Sequence, residues 1–315
     1  MFFLLSDHAF NNKLLLENAF GSTPINKAFD VDGVKGGIIN RIAGKLLSLT
    51  HIKKPSWKRN IKSPKDIVPR REKSKINPVD LKRIDSYDVN EVKKNYYFNR
   101  ELIQERIENK ESSRAYLAAL GSFPYLFLLG TLVRNAYSNT KIMDFNRYKD
   151  GGKWYVLPPM STNAEKIVHM LHYGANTIDA EIYRFNQNNE DIGIALSYTF
   201  LMEKTTIPIE LRNNTLYLRL SVEPRHDNVA SEEIQTELLK DISYYLRTLA
   251  KPGRNIHLFV AAQASMCLNL GVNYMDNAHG QLIVYNFDRD ILQHNWAVKI
   301  KNEEIEVYDT SVFSY

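Results

Sequence analysis

One stretch constrains this chain more than any other: IHLFVAAQASMCLNLGVNYMDNAHGQLIVYNF, residues 256–287. Two short apolar runs, Ile256–Ala261 and Gln281–Phe287, read as strands of a sheet covered on both faces. Between them, Ala262-Gln263 reads as a tight turn and Ala264–Tyr274 as a helix. In parallel α/β sheets ligands bind beyond the carboxyl ends of the strands, where this turn must lie. The first amides of the helix, on Ala264, Ser265 and Met266, have no intrahelical acceptor and offer an anion site.

The same pattern occurs earlier. Sliding by 141 residues places Leu117 on Leu258, Gly121 on Ala262, Leu129-Gly130 on Leu270-Gly271 and Ile142 on Ile283. One further residue of slip places Trp154 on Trp296. Each copy predicts a strand, a turn of small residues, a helix ending in Leu-Gly, a strand, a charged turn and a strand bearing Trp. This points to a duplication, in which Ser113–Leu120, Lys141–Asn146 and Lys153–Leu157 are strands.

Around these units the reading is less regular. Arg100–Lys110 reads as a helix with Asn99 as its N-cap, and Asn163–Gly174 as a helix carrying His169 and His172 at i, i+3. Two His on one helical face can bind a metal, but no third ligand is evident, and ordinary histidines are the plainer reading. Ile192–Phe200 and the alternating Leu216–Val222 read as strands, and Ser231 as the cap of a helix ended by Pro252-Gly253. Leu14–Phe20 and Lys35–Leu49 are candidate helices. The expected class is α/β with mostly parallel sheets, divided as an N-terminal region 1–98, a first half 99–188 and a second half 189–315.

The net charge of +5 is concentrated. Lys53–Arg83 holds twelve bases against three acids, so the remainder is acidic by about four charges. Pro55, Pro64, Pro69 and Pro78 interrupt that segment. It reads as a basic arm for nucleic acid or an acidic partner, or as a solvated linker or packed arm. No apolar run approaches the roughly 20 residues of a membrane span. The one Cys, Cys267, excludes a disulfide framework and fits the cytoplasm.

Catalytic signatures are absent: there is no G-x-S-x-G, Walker A, H-E-x-x-H or complete G-x-G-x-x-G. No cofactor is called for. What remains is binding chemistry at two matched loops, 121–124 and 262–265. Phe123, Tyr125, Tyr198 and Tyr285 are candidate stacking faces, Gln263 and Asn286 candidate readers of a base edge, and Arg147 and Arg289 candidate phosphate partners. Binding groups without acid–base partners suggest a receptor.

These residues resemble a known family. IHLFVAAQASMCLNLG with QLIVYNFD is similar to the second half of the SAVED domain. RAYLAALGSFPYLFLLG with KIMDFNRYKDGGKWYVL is similar to its first half. The resemblance covers about 113–300. It implies two fused Rossmann-like pseudo-repeats, each similar to a CRISPR-associated Rossmann-fold sensor. It further implies a receptor of bacterial antiphage signalling that binds a cyclic oligonucleotide, a cyclic trinucleotide being favoured, and associates head-to-tail with itself. Ligand contacts are then expected at Ser122, Phe123, Pro124, Arg147, Trp154 and at Gln263, Ala264, Ser265, Met266. No familiar effector is recognisable in residues 1–98, which implies a separate effector chain or an unfamiliar one. The alternatives are a nuclease, cleaving messenger or DNA with the basic N-terminal region, and a structural adaptor.

Overall fold

Four consecutive parallel strands followed by an antiparallel one form the first sheet. Its strands are β1 (Phe2–Leu5), β2 (Pro78–Asp80), β3 (Ala115–Ala119), β4 (Thr140–Asn146) and β5 (Lys153–Val156), ordered β2-β1-β3-β4-β5. Helix α1 (Val89–Glu108) precedes β3 and α2 (Phe123–Arg134) follows it. This computed structural model describes residues 2–5, 78–80, 89–108, 115–134, 140–146, 153–160, 166–288, 291–301 and 304–309. The candidate helices at 14–20 and 35–49 and nearly all of the basic segment lie outside them.

The second sheet has β6 (His169–Leu171), β7 (Ile192–Ser197), β8 (Thr215–Leu220), β9 (Asn255–Ala261), β10 (Gln281–Asp288), β11 (Gln293–Lys301) and β12 (Glu304–Asp309). Its order is β12-β11-β10-β9-β7-β8-β6. Strands β8, β7, β9 and β10 are mutually parallel, and β11 returns antiparallel. Without β6 and β12, the path β8-β7-β9-β10-β11 repeats β2-β1-β3-β4-β5 step for step. The helices α4 (Glu232–Leu249) and α5 (Ala264–Asn273) fall at the positions of α1 and α2. The short α3 (Ile178–Phe185) precedes β7, and the four-residue α6 (Asp276–His279) precedes β10.

Alternation along β7 and β9 divides the core. Ile192, Ile194, Leu196, Ile256, Leu258 and Val260 face a cluster shared with α2, α4 and α5. Ala195, Phe259 and Ala261 join a smaller cluster with Met202, Ile207 and Leu211 of the segment after β7. Both faces are therefore covered, one by helices and the other by irregular chain. Helix α2 is buried without interruption from Phe123 to Gly130, because it packs against α5 on one side and reaches β10 on another.

Two readings of local structure need correction. Helix α1 begins at Val89, eleven residues before Arg100, and Asn99 is buried inside it rather than capping it. With β1 and β2, the region before residue 99 thus supplies two strands and half a helix to the first sheet. His169–Leu171 is a strand, paired with β8. His169 therefore does not share a helical face with His172. Its ring nitrogens meet Tyr198 Oη at 2.5 Å and Asp241 Oδ2 at 3.2 Å, where Leu220 opposite fixes its register.

Candidate functional site at the joined carboxyl edges

The start of α5 does hold an acidic group, and that group belongs to the protein. Asp144, at the carboxyl end of β4 in the first sheet, is buried against the turn that begins α5 in the second. Gln263 Nε2 donates to Asp144 Oδ2 at 3.0 Å. The Phe145 amide donates to Oδ1 at 2.9 Å and the Tyr155 hydroxyl to Oδ2 at 3.3 Å. The hydroxyl and amide of Ser265 complete the set. Burial pushes the Asp144 carboxyl above its ordinary value, and these donors only partly offset it. Of the helix-start amides expected to be free, that of Ser265 is thus engaged across the two sheets.

The network continues behind Gln263. Its Oε1 accepts from the Val229 amide at 2.9 Å. Gln235 Nε2 donates to Val229 O at 2.9 Å and Ser265 Oγ at 2.8 Å, and Asn269 Nδ2 donates to Gln235 Oε1 at 2.5 Å. The start of α4 is also met from the first sheet's side: the amides of Glu232 and Glu233 donate to the carbonyls of Pro158 and Pro159 at 2.9 and 3.1 Å. The starts of α5 and α4 therefore draw acceptors from β4 and from the chain that follows β5. Because Asp144 lies two residues before the end of β4 and Gln263 follows β9, the carboxyl edges of the two sheets adjoin.

At the first loop, Ser122 O accepts from the Leu126 amide at 3.0 Å, opening α2. Ser122 Oγ is buried with no hydrogen-bond partner. So is Trp154 Nε1, whose ring lies 5.2 Å from that of Phe145. A buried polar group left unpaired is rare enough to require an account, and an acceptor brought by a ligand is one. Phe123 and Pro124 are buried in α2, Phe123 meeting Phe127 edge to face.

The other expected contacts divide. Ala264 is half-buried, whereas Ser265 and Met266 are fully buried. The amide of Gln263 is spent on Asp144 and Val229, so in this conformation it has no free edge for a base. Tyr198 is corrected: its ring is wholly enclosed beside His169, and it offers no stacking face. Tyr285 is likewise enclosed, with its hydroxyl 2.7 Å from His257 Nδ1. Asn286 is partly exposed and donates to Asn295 Oδ1 at 2.8 Å. Arg147 and Arg289 lie outside the described residues. Cys267 is buried on α5, and burial pushes its thiol up, so it stays protonated.

The same edge carries residues that the sequence reading passed over. Arg225 and His226 are exposed on the loop between β8 and α4. That loop is anchored by Asn228 Nδ2 on Glu223 O at 2.7 Å, and the charge of its Asp227 reaches Tyr155. The turn residues Glu223-Pro224-Arg225-His226-Asp227-Asn228 after a parallel strand were the available signal. Phe200 and Phe287, half-buried with ring centroids 5.3 Å apart, stand at the carboxyl ends of β7 and β10.

Two cavities, of about 580 and 660 Å³, lie elsewhere, and neither is lined by residues of the paired loops. Among the described residues no group of three His, Cys, Asp or Glu side chains could hold a metal ion, and no helix is long and apolar enough to cross a membrane.

Solved structures similar to the chain include the Acinetobacter baumannii Cap4 SAVED/CARF-domain containing receptor with the cyclic trinucleotide 3'3'3'-cAAA, at 14% identity and a TM-score of 0.43. That match covers 66% of this chain and 43% of the receptor. The Moraxella osloensis Cap4 SAVED/CARF-domain containing receptor matches at 13% identity and a TM-score of 0.41, over 74% of this chain and 46% of that one. The chain thus spans less than half the length of these receptors. No curated protein matches the sequence. The family model for the SAVED domain, the SMODS-associated and fused to various effectors sensor domain, matches residues 98–300, and the chain belongs to that family.

Proposed function

We propose that this protein is a receptor for a cyclic oligonucleotide second messenger, bound across the adjoining carboxyl edges of the two sheets. The observation that carries the reading is the Asp144–Gln263 hydrogen bond, which brings those edges together in a chain of the SAVED family. The repeated strand path supports two Rossmann-like pseudo-repeats, whose first member draws on β1 and β2. A cyclic trinucleotide is the favoured ligand. Ser122 Oγ and Trp154 Nε1 supply unpaired donors, Arg225 a cation for a phosphate, and the Phe200–Phe287 pair an aromatic surface for a base. Binding would shift the contacts between the halves and signal in antiphage defence of the CBASS type, in the cytoplasm, through head-to-tail self-association or a separate effector chain.

Thermal stability against a panel of cyclic di-, tri- and tetranucleotides tests this. A ring that binds only the folded state, at a hundredfold excess over its dissociation constant, adds about 2.7 kcal/mol. One ring should raise the melting temperature, and Ser122→Trp and Arg225→Glu should each reduce the shift. No shift with any ring, or undiminished shifts in both variants, would reject the site.

A further inference from the structure

We propose that the cavity of about 580 Å³ between β4–β5 and the helices α4, α5 and α6 is a second ligand site, built for a phosphate monoester with an apolar body. It runs along α4 from the polar network behind the carboxyl edges, where Glu232, Gln235 and Asn269 line it, and none of the residues of the paired loops lines it. Lys141 stands near the start of β4, and Asn273 and Met275 at the far end of α5, so the cavity opens toward the opposite end of the strands. Its volume is that of an ordinary small-molecule site.

Three features define the ligand. The first is charge: Lys141, Lys240 and Arg247 line the cavity against one carboxylate, Glu232. Glu232 is held by Lys141 at 2.7 Å, and Lys240 is held by Glu237 at 2.6 Å. Arg247 spends only its Nε, on Ser243 O at 3.1 Å. Among the described residues its terminal nitrogens have no partner, and that planar fork suits phosphate oxygens.

The second feature is His279, which is 1% exposed and lines the cavity. Its Nδ1 accepts from the Met275 amide at 3.2 Å. The ring hydrogen therefore sits on Nε2, and that buried atom has no acceptor. Burial, followed by the charges of Arg247 and Arg134, pushes this imidazole down to about 4. It remains a neutral donor at physiological pH, waiting for an acceptor that the protein does not supply. The third feature is an apolar wall of Ile142, Leu157, Leu239 and Met275, which a bare inorganic anion would leave uncovered.

Phenyl phosphate is the probe, with inorganic phosphate and phenol as the two halves of its chemistry. Calorimetric titration of the full chain should show phenyl phosphate binding more tightly than inorganic phosphate, and phenol giving no heat. In ¹⁵N-histidine spectra one Nε2–H resonance should move with the titration and be missing in His279→Phe. Arg247→Gln, a change at an exposed residue, should weaken binding about tenfold or more. His279→Phe should weaken it comparably. The proposal is overturned if phenyl phosphate gives no heat at millimolar concentration, if inorganic phosphate binds as tightly, or if Arg247→Gln leaves the affinity unchanged. None of these outcomes depends on the response to cyclic nucleotides.

Discussion

Gly130 and Gly271 face each other where α2 meets α5. A methyl group built on Gly130 would stand 2.2 Å from the carbonyl oxygen of Leu268, and one on Gly271 would stand 2.0 Å from that of Phe127. The contact is reciprocal, because each glycine sits over the carbonyl three residues before the other. The repeated Leu-Gly pair of the sequence is therefore a contact between the two helices that occupy matching places in the two sheets' topology.

Alanine at either position should destabilise the protein. In an ordinary helix interior Gly→Ala gains about 1 kcal/mol. Here the added methyl meets backbone, which cannot rotate away, so the helices must separate at a cost of about 1–3 kcal/mol or more. Urea denaturation should give a net loss for Gly130→Ala and for Gly271→Ala. The double variant should cost less than the sum of the two, since one separation of the helices accommodates both methyls.

Asp144 gives a prediction with a definite sign. Its folded value is raised above the ordinary 3.8, burial being the leading cause. The folded state therefore holds the proton better than the unfolded chain. The contribution of Asp144 is fully present below the unfolded value and is lost as pH rises through the folded one. Asp144→Asn removes this slope, so the variant should gain on the wild type as pH rises from about 3 toward 7. Asp144→Ala should behave differently, losing about 3 kcal/mol near neutrality, because Gln263, Ser265 and the Phe145 amide would be left without an acceptor. Melting temperatures of the three proteins across that range check both statements.

The strands and helices flanking Gln263 were legible because their apolar runs and breaks are local. So was the repeated Leu-Gly. Four residues, Phe2–Leu5, gave no such signal, yet β1 pairs with β3 more than a hundred residues away. Helix α1 was read short because Val89–Phe98 mixes charged and amide residues with its buried Val92, Asn95 and Tyr96. The site was the hardest part to read. Nothing local distinguishes Asp144 from a surface acid in a strand, and its partners are 1, 11, 119 and 121 positions away. Tyr198 reads as an aromatic at a strand end, but His169, 29 positions earlier, encloses its hydroxyl.

His294 makes the second sheet sensitive to acid. It is buried on β11, with Nδ1 2.9 Å from the carbonyl of Thr206, which fixes the hydrogen on that nitrogen. Burial pushes it from 6.5 down to about 4, against the smaller opposing effect of the Thr206 carbonyl. The unfolded chain then binds the proton more tightly than the folded one. The stability it contributes is present above about 6.5 and lost as pH falls through 4, about 3 kcal/mol in all. His294→Gln should flatten the stability curve in this window relative to wild type. A slope unchanged by the substitution would show that another group titrates there.

Arg254 closes the ends of two helices at once. It is 1% exposed, and its Nη1 donates to Leu249 O at 2.9 Å and to Asn186 Oδ1 at 3.1 Å. Its Nη2 donates to Phe185 O at 3.2 Å and to the carbonyl of Asn188. The last turn of an α-helix leaves carbonyls without intrahelical donors, and here one guanidinium serves the ends of both α3 and α4. A lysine has the charge but not the fork, and its single nitrogen cannot face both sets of acceptors. Arg254→Met keeps the buried stem and strands the carbonyls, at about 3 kcal/mol or more, each buried acceptor costing about 1–3 kcal/mol. Arg254→Lys should recover less than half of that loss. If Lys restores wild-type stability in urea, charge rather than the geometry of the fork holds the two helix ends together.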